Sequence, residues 1–235
     1  MTFGHYSISF AAKAVARTVP LWVYFLAAQW LDICWSILVL LGIEKVQIVP
    51  GLIEAHAIDH YYMPYSHSLP GAIALSAVFG GLVASTVAEK RSAAFGVVSA
   101  ASLSHWVLDF LVHVPDLPLY GNTAKVGLGL WRYVSISFPL ELILLIAGAW
   151  IYARAVPTTS ARGRNMLWVF VALLAAMQVY TAFGPPPDSE TTMAITGLGF
   201  YVVLAALAAW VERIRLRPDR GLGHTPRSGG HLPVS

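Results

Sequence analysis

Long apolar runs, separated by short polar loops, dominate the pattern of the chain. A helix needs roughly 20 apolar residues to cross about 30 Å of hydrocarbon. Six runs are long enough to predict transmembrane helices, namely 20–42, 68–88, 92–114, 134–153, 166–183 and 193–211. A seventh apolar stretch over 4–19 is shorter, and Pro20 separates it from the first of these runs. It predicts a short N-terminal helix.

The predicted fold class is an all-α integral membrane protein, a bundle of six transmembrane helices plus the shorter N-terminal helix. One transmembrane domain covers 1–216, and the Pro-, Gly- and Arg-rich segment 217–235 predicts a disordered basic tail. Charged residues make up 11% of the chain, against about 25% in a soluble domain. This excludes a soluble globule. The net charge of +3 lies in clusters beside apolar runs and does not indicate nucleic-acid binding.

Lysine and arginine mark every second loop, which predicts the orientation. Short loops rich in these residues stay on the cytoplasmic side. The C-terminus is therefore expected in the cytoplasm, and the membrane is the inner (cytoplasmic) one if the source is bacterial. Loops 43–66, 115–133 and 184–192 are expected outside. The marking residues are Lys13, Arg17, Lys90, Arg91, Arg154, Arg162, Arg164, Arg213, Arg215, Arg217 and Arg220.

A few ionisable residues lie inside the apolar runs rather than at their ends. Each costs roughly 2.5 to 3.5 kcal/mol at the bilayer centre, so each is a candidate functional residue. The alternative is that each is satisfied by an interhelical hydrogen bond. His67 is different, since it lies at the outer start of the second run, about 32 Å above the cytoplasmic end. The others fall in one layer, at heights of about 22, 18, 20, 26 and 18 Å for His5, Asp32, His105, Asp109 and Glu141.

His105 and Asp109 are four residues apart and share one helix face. Both can reach a single metal ion, or the carboxylate can orient the imidazole. Mixed histidine and carboxylate ligands suit zinc, manganese or iron, and an open coordination position can activate water. The expected cofactor is a divalent transition metal, zinc first, with manganese or iron as alternatives.

A second pair with the same spacing stands in the first outer loop. His56, Asp59 and His60 read H-x-x-D-H, close to the inverted zincin motif with Asp in place of Glu. This pair stays open as an alternative site. His113, two helical turns beyond His105, is expected to be a histidine at the outer membrane interface.

Three features together resemble a known family. They are Gly-His at 4–5 followed by Asp32, Tyr-Ser-His-Ser at 65–68, and Ser-His-Trp-Val-Leu-Asp at 104–109. In this order they resemble the predicted membrane-bound metal-dependent hydrolases, the family that includes a LexA-binding inner-membrane hydrolase. The resemblance covers about residues 1–135. It implies that the metal-binding positions are His5, Asp32, His67, His105 and Asp109.

The chain also departs from the family pattern. Gly4 stands where the family has threonine, and Asp32 lacks the second aspartate of the first long helix. The loop before the histidine-serine pair reads Met-Pro-Tyr at 63–65 without the family's arginine. A lost ligand would leave one metal rather than two, or a site without catalysis.

The first hypothesis is an enzyme, a membrane-embedded metal-dependent hydrolase working near the outer leaflet. Water polarised by the metal would attack an ester, phosphoester or amide bond. Glu141 is the candidate general base, and His67 is a ligand or a catalytic neighbour of the metal. The depth of the site indicates a lipid or lipid-linked substrate, with membrane lipids as partners.

Two other functions fit the same residues. Intramembrane Asp, Glu and His chains also mark ion or proton pathways, although no internal repeat accompanies them here. A non-catalytic scaffold with a structural metal is the other alternative, and axial haem ligation by the histidines is a minor one.

The loop 43–65 is expected to form a lid or a partner surface.

Overall fold

The structure is a computed structural model that describes residue 1 and residues 3–217. Apart from residue 217, the predicted tail at 217–235 lies outside the described residues. Two β-hairpins and one 3₁₀ turn, Leu130–Arg132, accompany the helices. The helices are α1 Tyr6–Val15, α2 Leu21–Ala28, α3 Trp30–Leu40, α4 Leu69–Thr86, α5 Arg91–Val112, α6 Val134–Ala155, α7 Ala161–Phe183 and α8 Glu190–Leu216.

Five of these helices, α4 to α8, are long and apolar enough to cross a membrane. A sixth candidate span is formed by α2 and α3 together, bent by 54° at the break between them. The prediction of an all-α integral membrane protein is confirmed. The prediction of one continuous helix over 20–42 is wrong, because the chain bends at Gln29.

The bend is centred on Gln29, which is 2% exposed. Its φ of −111° and ψ of 11° leave the helical region, and its N–H donates to Leu26 over 3.2 Å, as in a tight final turn. The following residue, Trp30, stacks on Phe79 at 4.5 Å and donates its indole N–H to the Leu75 carbonyl. Packing of Trp30 on α4 therefore turns α3 away from the line of α2.

Two of the three loops expected outside contain antiparallel hairpins that the hydrophobic pattern did not predict. Strand β1, Lys45–Ile48, pairs with β2, Ile58–Tyr62, in the first loop. Strand β3, Leu117–Tyr120, pairs with β4, Thr123–Val126, in the second. We call this side of the bundle the hairpin end and the opposite side, with Lys90 and Arg91, the basic end.

Helix α1 lies inside the bundle rather than on its surface. At Gly148 of α6 an added Cβ would lie 2.3 Å from the Ser7 carbonyl oxygen, so only glycine allows this close approach. Phe10 packs edge-on against Phe25 at 5.3 Å and lies 6.4 Å from Phe170. This contact holds α1 so that the residues just before it reach the middle of the bundle.

A buried ion pair fixes the other end of α1. Lys13 Nζ lies 2.7 Å from Glu212 Oε1, and both side chains are less than a tenth exposed. Lys13 also donates to the Arg17 and Val19 carbonyls, and Glu212 accepts the backbone N–H of Leu21 over 2.9 Å. The start of α2 and the end of α8 are thereby tied to α1 at the basic end.

Candidate metal centre

His105 is held in one orientation by the break between α2 and α3. Its Nδ1 lies 2.7 Å from the carbonyl oxygen of Ala28, the last residue of α2. A carbonyl oxygen only accepts hydrogen bonds, so Nδ1 carries the proton and Nε2 presents its electron pair in the neutral ring. That nitrogen lies 3.0 Å from Asp109 Oδ2 and 3.4 Å from Asp32 Oδ1. The electron pair of His105 therefore faces two carboxylates.

His67 is oriented in the same way by a different partner. Ser66 Oγ donates to Glu44 Oε2 over 2.5 Å and lies 2.8 Å from His67 Nδ1. Because the one hydroxyl proton goes to the carboxylate, Ser66 accepts the Nδ1 proton of His67. The backbone is fixed as well, since Trp106 Nε1 donates to the His67 carbonyl over 2.9 Å.

The free ring nitrogen of His67 points at the same two carboxylates. Its Nε2 lies 3.4 Å from Asp32 Oδ1 and 3.8 Å from Asp109 Oδ2. Asp32 is braced from the far side by Tyr201 of α8, whose hydroxyl donates to Oδ2 over 3.2 Å. The chain thus gathers acceptor atoms from α3, α5 and the start of α4 around one point.

His5 reaches this point from the N-terminal segment. Its Nε2 lies 3.1 Å from Asp109 Oδ1, and its ring stacks on His105 with 3.8 Å between centroids and 6° between planes. The Met1 nitrogen also contacts Asp109 Oδ1. Glu141 Oε2 accepts the backbone N–H groups of Phe3 and Gly4, each over 3.1 Å. In these contacts Glu141 positions the segment that carries His5.

All five predicted metal positions are therefore brought together. Ligand atoms of His5, His105 and Asp109 lie within 4.8 Å of one another, and so do those of Asp32, His67 and His105. Asp32 is the most accessible of the five, with a side chain 23% exposed, whereas the other four are nearly fully buried. Glu141 belongs to neither group, and its role as general base stays a prediction.

A second cluster lies at the hairpin end. His60 of β2 comes within 3.9 Å of Asp116 through its Nδ1, and His113 Nδ1 lies 2.8 Å from the same carboxylate. The expected depth of His113 at the outer membrane interface stays a prediction, and its side chain is buried, 3% exposed. The cause of this burial is the second hairpin and the 3₁₀ turn, which cover the end of α5 with Trp131, 4.4 Å from the His113 ring.

The H-x-x-D-H alternative does not form a helical pair. His56 lies in the loop before β2 and His60 lies on that strand. Their spacing of four residues therefore does not place them on one face of a helix. Burial and the neighbouring His113 lower the pKa of His56 to about 3. Burial, His113 and His56 hold the pKa of His60 well below its usual value. Both rings are therefore neutral at physiological pH.

A cavity of about 1420 Å³ opens onto both clusters. Its lining includes Asp32, His67, Asp109 and Glu141, and also residues of α7, α8 and the loop between them. The part formed by α7 and α8 contains apolar residues, among them Met177, Phe200 and Leu204. An amphiphilic molecule could place a polar group at the carboxylates and an apolar chain along α7 and α8.

Sequence reasoning missed the residues that orient the ligands. Tyr201 lies in an ordinary apolar run, and Ser66 entered only as part of the Tyr-Ser-His-Ser motif at 65–68. Glu44 had a usable signal, because it is the first charge after the apolar run 20–42. In the structure it is 1% exposed. The acceptor at Ala28 has no side-chain signal, since it is a main-chain carbonyl exposed by the bend.

No family model, curated protein or solved structure matches the chain. The resemblance to the predicted metal-dependent hydrolases therefore rests on the motif residues alone.

Proposed function

We propose that the protein is a membrane-embedded, metal-dependent hydrolase acting near the outer leaflet on a lipid or lipid-linked ester or phosphoester. The proposed ligands are Asp32, His67, His105 and Asp109, with His5 completing or bracing the site. Zinc is the first candidate metal, and manganese or iron are the others.

One observation carries this proposal. His67 and His105 both have Nδ1 tied to an acceptor, so both Nε2 electron pairs point at the carboxylates of Asp32 and Asp109. The two imidazole nitrogens lie 3.0 to 3.8 Å from the two carboxylates, and such electron-rich groups repel one another unless a proton or a metal cation lies among them. A divalent cation among them would compensate both carboxylates at once. Neutral imidazoles and carboxylates, with the second ring nitrogen hydrogen-bonded elsewhere, are the usual donors to a divalent transition metal.

The chemistry of hydrolysis fits the surroundings of this site. When bound, a divalent metal supplies Lewis-acid chemistry that polarises water and the bond to be cleaved. The oxygen of water joins the acyl carbon or the phosphorus, the ester bond breaks, and the leaving oxygen takes up one proton. Glu141 lines the same cavity and is the carboxylate to which we assign the proton transfer. The apolar wall of α7 and α8 supports an acyl or prenyl chain as the rest of the substrate.

The test uses the full chain, purified in nanodiscs and loaded with zinc, against a panel of lipid esters, phospholipids and prenyl phosphates. We expect release of a product from at least one class, and a fall of more than about 100-fold in His105→Gln, since even residues that only orient a ligand matter 10- to 100-fold. Ser104→Ala is the matched control, because among the described residues that hydroxyl donates only to the Ala101 carbonyl of its own helix. Proton or ion flux in liposomes without hydrolysis of any panel member would contradict the proposal and favour a transporter.

A further inference from the structure

The three side chains at the hairpin end form a ligand set of their own. His60, His113 and Asp116 each offer one ligand atom, and these atoms lie within 4.8 Å of one another. They come from three separate places: β2, the residue that ends α5, and the turn before β3. Two imidazoles and a carboxylate are the ligands of many catalytic zinc sites, which keep a fourth position open.

One ring nitrogen in this set has no hydrogen-bond partner among the described residues. His60 Nδ1 is buried, makes no hydrogen bond among the described residues, and faces Asp116 Oδ2 at 3.9 Å. That separation is too long for a hydrogen bond but suits two ligands of one ion. Leaving a buried ring nitrogen unpaired is unfavourable, and coordination of an ion would remove that penalty.

We propose that His60, His113 and Asp116 hold a second divalent transition metal, beside the first. The ligand atoms are His60 Nδ1, His113 Nδ1 and a carboxylate oxygen of Asp116. The inference extends the proposed function from one metal to two, and it rests on a separate set of residues.

The other ring nitrogen of His113 shows that the two clusters adjoin. His113 Nε2 lies 3.8 Å from Asp109 Oδ2, a proposed ligand of the first metal. That separation is too long for a hydrogen bond, but it places the second ligand set next to the first. Both clusters also open onto the same cavity, so one substrate could reach both.

The surroundings are built to hold the three side chains still. Trp131 lies against His113, and its ring centroid is 6.3 Å from that of His60, with the planes 19° apart. At Gly127, with φ of +152°, an added Cβ would lie 2.3 Å from the His113 carbonyl oxygen. The loop after β4 can therefore close over the end of α5 only because glycine stands there.

The experiment measures zinc content per chain after chelation, reloading and removal of free metal from the full-length protein in detergent. We expect about two equivalents in the wild type and about one in His60→Ala and in Asp116→Asn, which keeps the shape of the side chain. His105→Gln should also retain about one, and the double variant His60→Ala with His105→Gln should retain almost none. Tyr61→Ala, on the exposed neighbouring position of β2, should retain two.

The outcomes separate the two sites. A single zinc that survives His60→Ala and Asp116→Asn but is lost in His105→Gln overturns the second site and leaves the first. A single zinc with the opposite pattern supports the second site and overturns the first. A wild type that retains no transition metal overturns both.

Discussion

His105 donates its Nδ1 proton to the carbonyl oxygen of Ala28 over 2.7 Å, at the bend between α2 and α3. In a straight helix that carbonyl would accept the N–H of the residue four positions later, Asp32. The bend therefore gives the imidazole an acceptor and at the same time brings a carboxylate opposite its other nitrogen. The break in the helix therefore contributes directly to the assembly of the site.

This relationship predicts the effect of changing the imidazole. His105→Gln removes the Nε2 electron pair while keeping a polar side chain of similar length. We expect zinc at the first site to bind more than about 100-fold more weakly, measured by competition with a chromogenic chelator. The control Ser104→Ala should bind as the wild type does. Unchanged affinity in His105→Gln would exclude this nitrogen as a ligand.

The Ser66 hydroxyl, which links His67 to Glu44, should tune the same affinity without contacting the metal. Ser66→Ala removes the acceptor of the His67 Nδ1 proton, so the ring loses its fixed orientation. We expect zinc affinity to fall by about 10- to 100-fold, with the same number of ions at saturation. The control is Ser85→Ala, at an exposed serine whose hydroxyl donates only to the Leu82 carbonyl among the described residues. Equal zinc affinity in Ser66→Ala and Ser85→Ala would show that Ser66 does not orient His67 for metal binding.

The close approach of α1 and α6 predicts a difference between two glycines. Gly148→Ala would drive a Cβ into the Ser7 backbone, with its nearest atoms at 2.3 to 2.8 Å. We expect a loss of about 2 kcal/mol in the free energy of unfolding from overpacking, and weaker zinc binding because α1 carries the segment with His5. Gly81→Ala, with nothing within 4 Å of the new Cβ, should match or exceed the wild type in thermal stability. Equal thermal stability of the two variants would contradict this packing.

The Lys13–Glu212 pair should matter for stability and not for metal. Lys13→Met leaves the Glu212 carboxylate buried, with the backbone N–H of Leu21 as its one donor among the described residues. We expect a loss of about 3 kcal/mol, the usual result of removing one partner of a buried pair. Thermal unfolding in detergent measures it, with the exposed Arg162→Met as control. A full loss of bound zinc in folded Lys13→Met would show that the two ends of the bundle are coupled.

Several parts of this architecture follow directly from the chain. The apolar runs predict the spans, because roughly 20 residues are needed to cross the hydrocarbon. The i,i+4 spacing predicts that His105 and Asp109 share a face, and comparison of depths adds His5 and Asp32 to them. His67 entered only through its resemblance to the family motif, since its depth alone placed it higher.

Other parts depend on information that periodicity does not carry. The bend at Gln29 depends on how Trp30 packs against α4, which is a tertiary contact between residues far apart in the chain. His60 and Asp116 meet only because two hairpins fold over the end of α5. Hairpin position follows from strand pairing and glycine turns rather than from hydrophobic periodicity, so the second cluster could not be assembled from spacing.

Orientation in the membrane is a prediction from the lysine and arginine pattern. In a variant with Cys34→Ser, a single cysteine at the exposed Tyr65 should react with a membrane-impermeant maleimide added from outside intact cells. A cysteine at Glu89, at the basic end, should react only after the membrane is opened. The reverse pattern would invert the bundle and place the site at the cytoplasmic leaflet.

The proposed site holds one ion among Asp32, His67, His105 and Asp109. Anomalous diffraction from crystals of the zinc-loaded protein, recorded on both sides of the zinc edge, locates that ion. We expect a peak about 2.0 to 2.1 Å from both His67 Nε2 and His105 Nε2, with a carboxylate oxygen at a similar distance. Crystals that hold zinc elsewhere, with His105 Nε2 hydrogen-bonded directly to a carboxylate, would exclude this site.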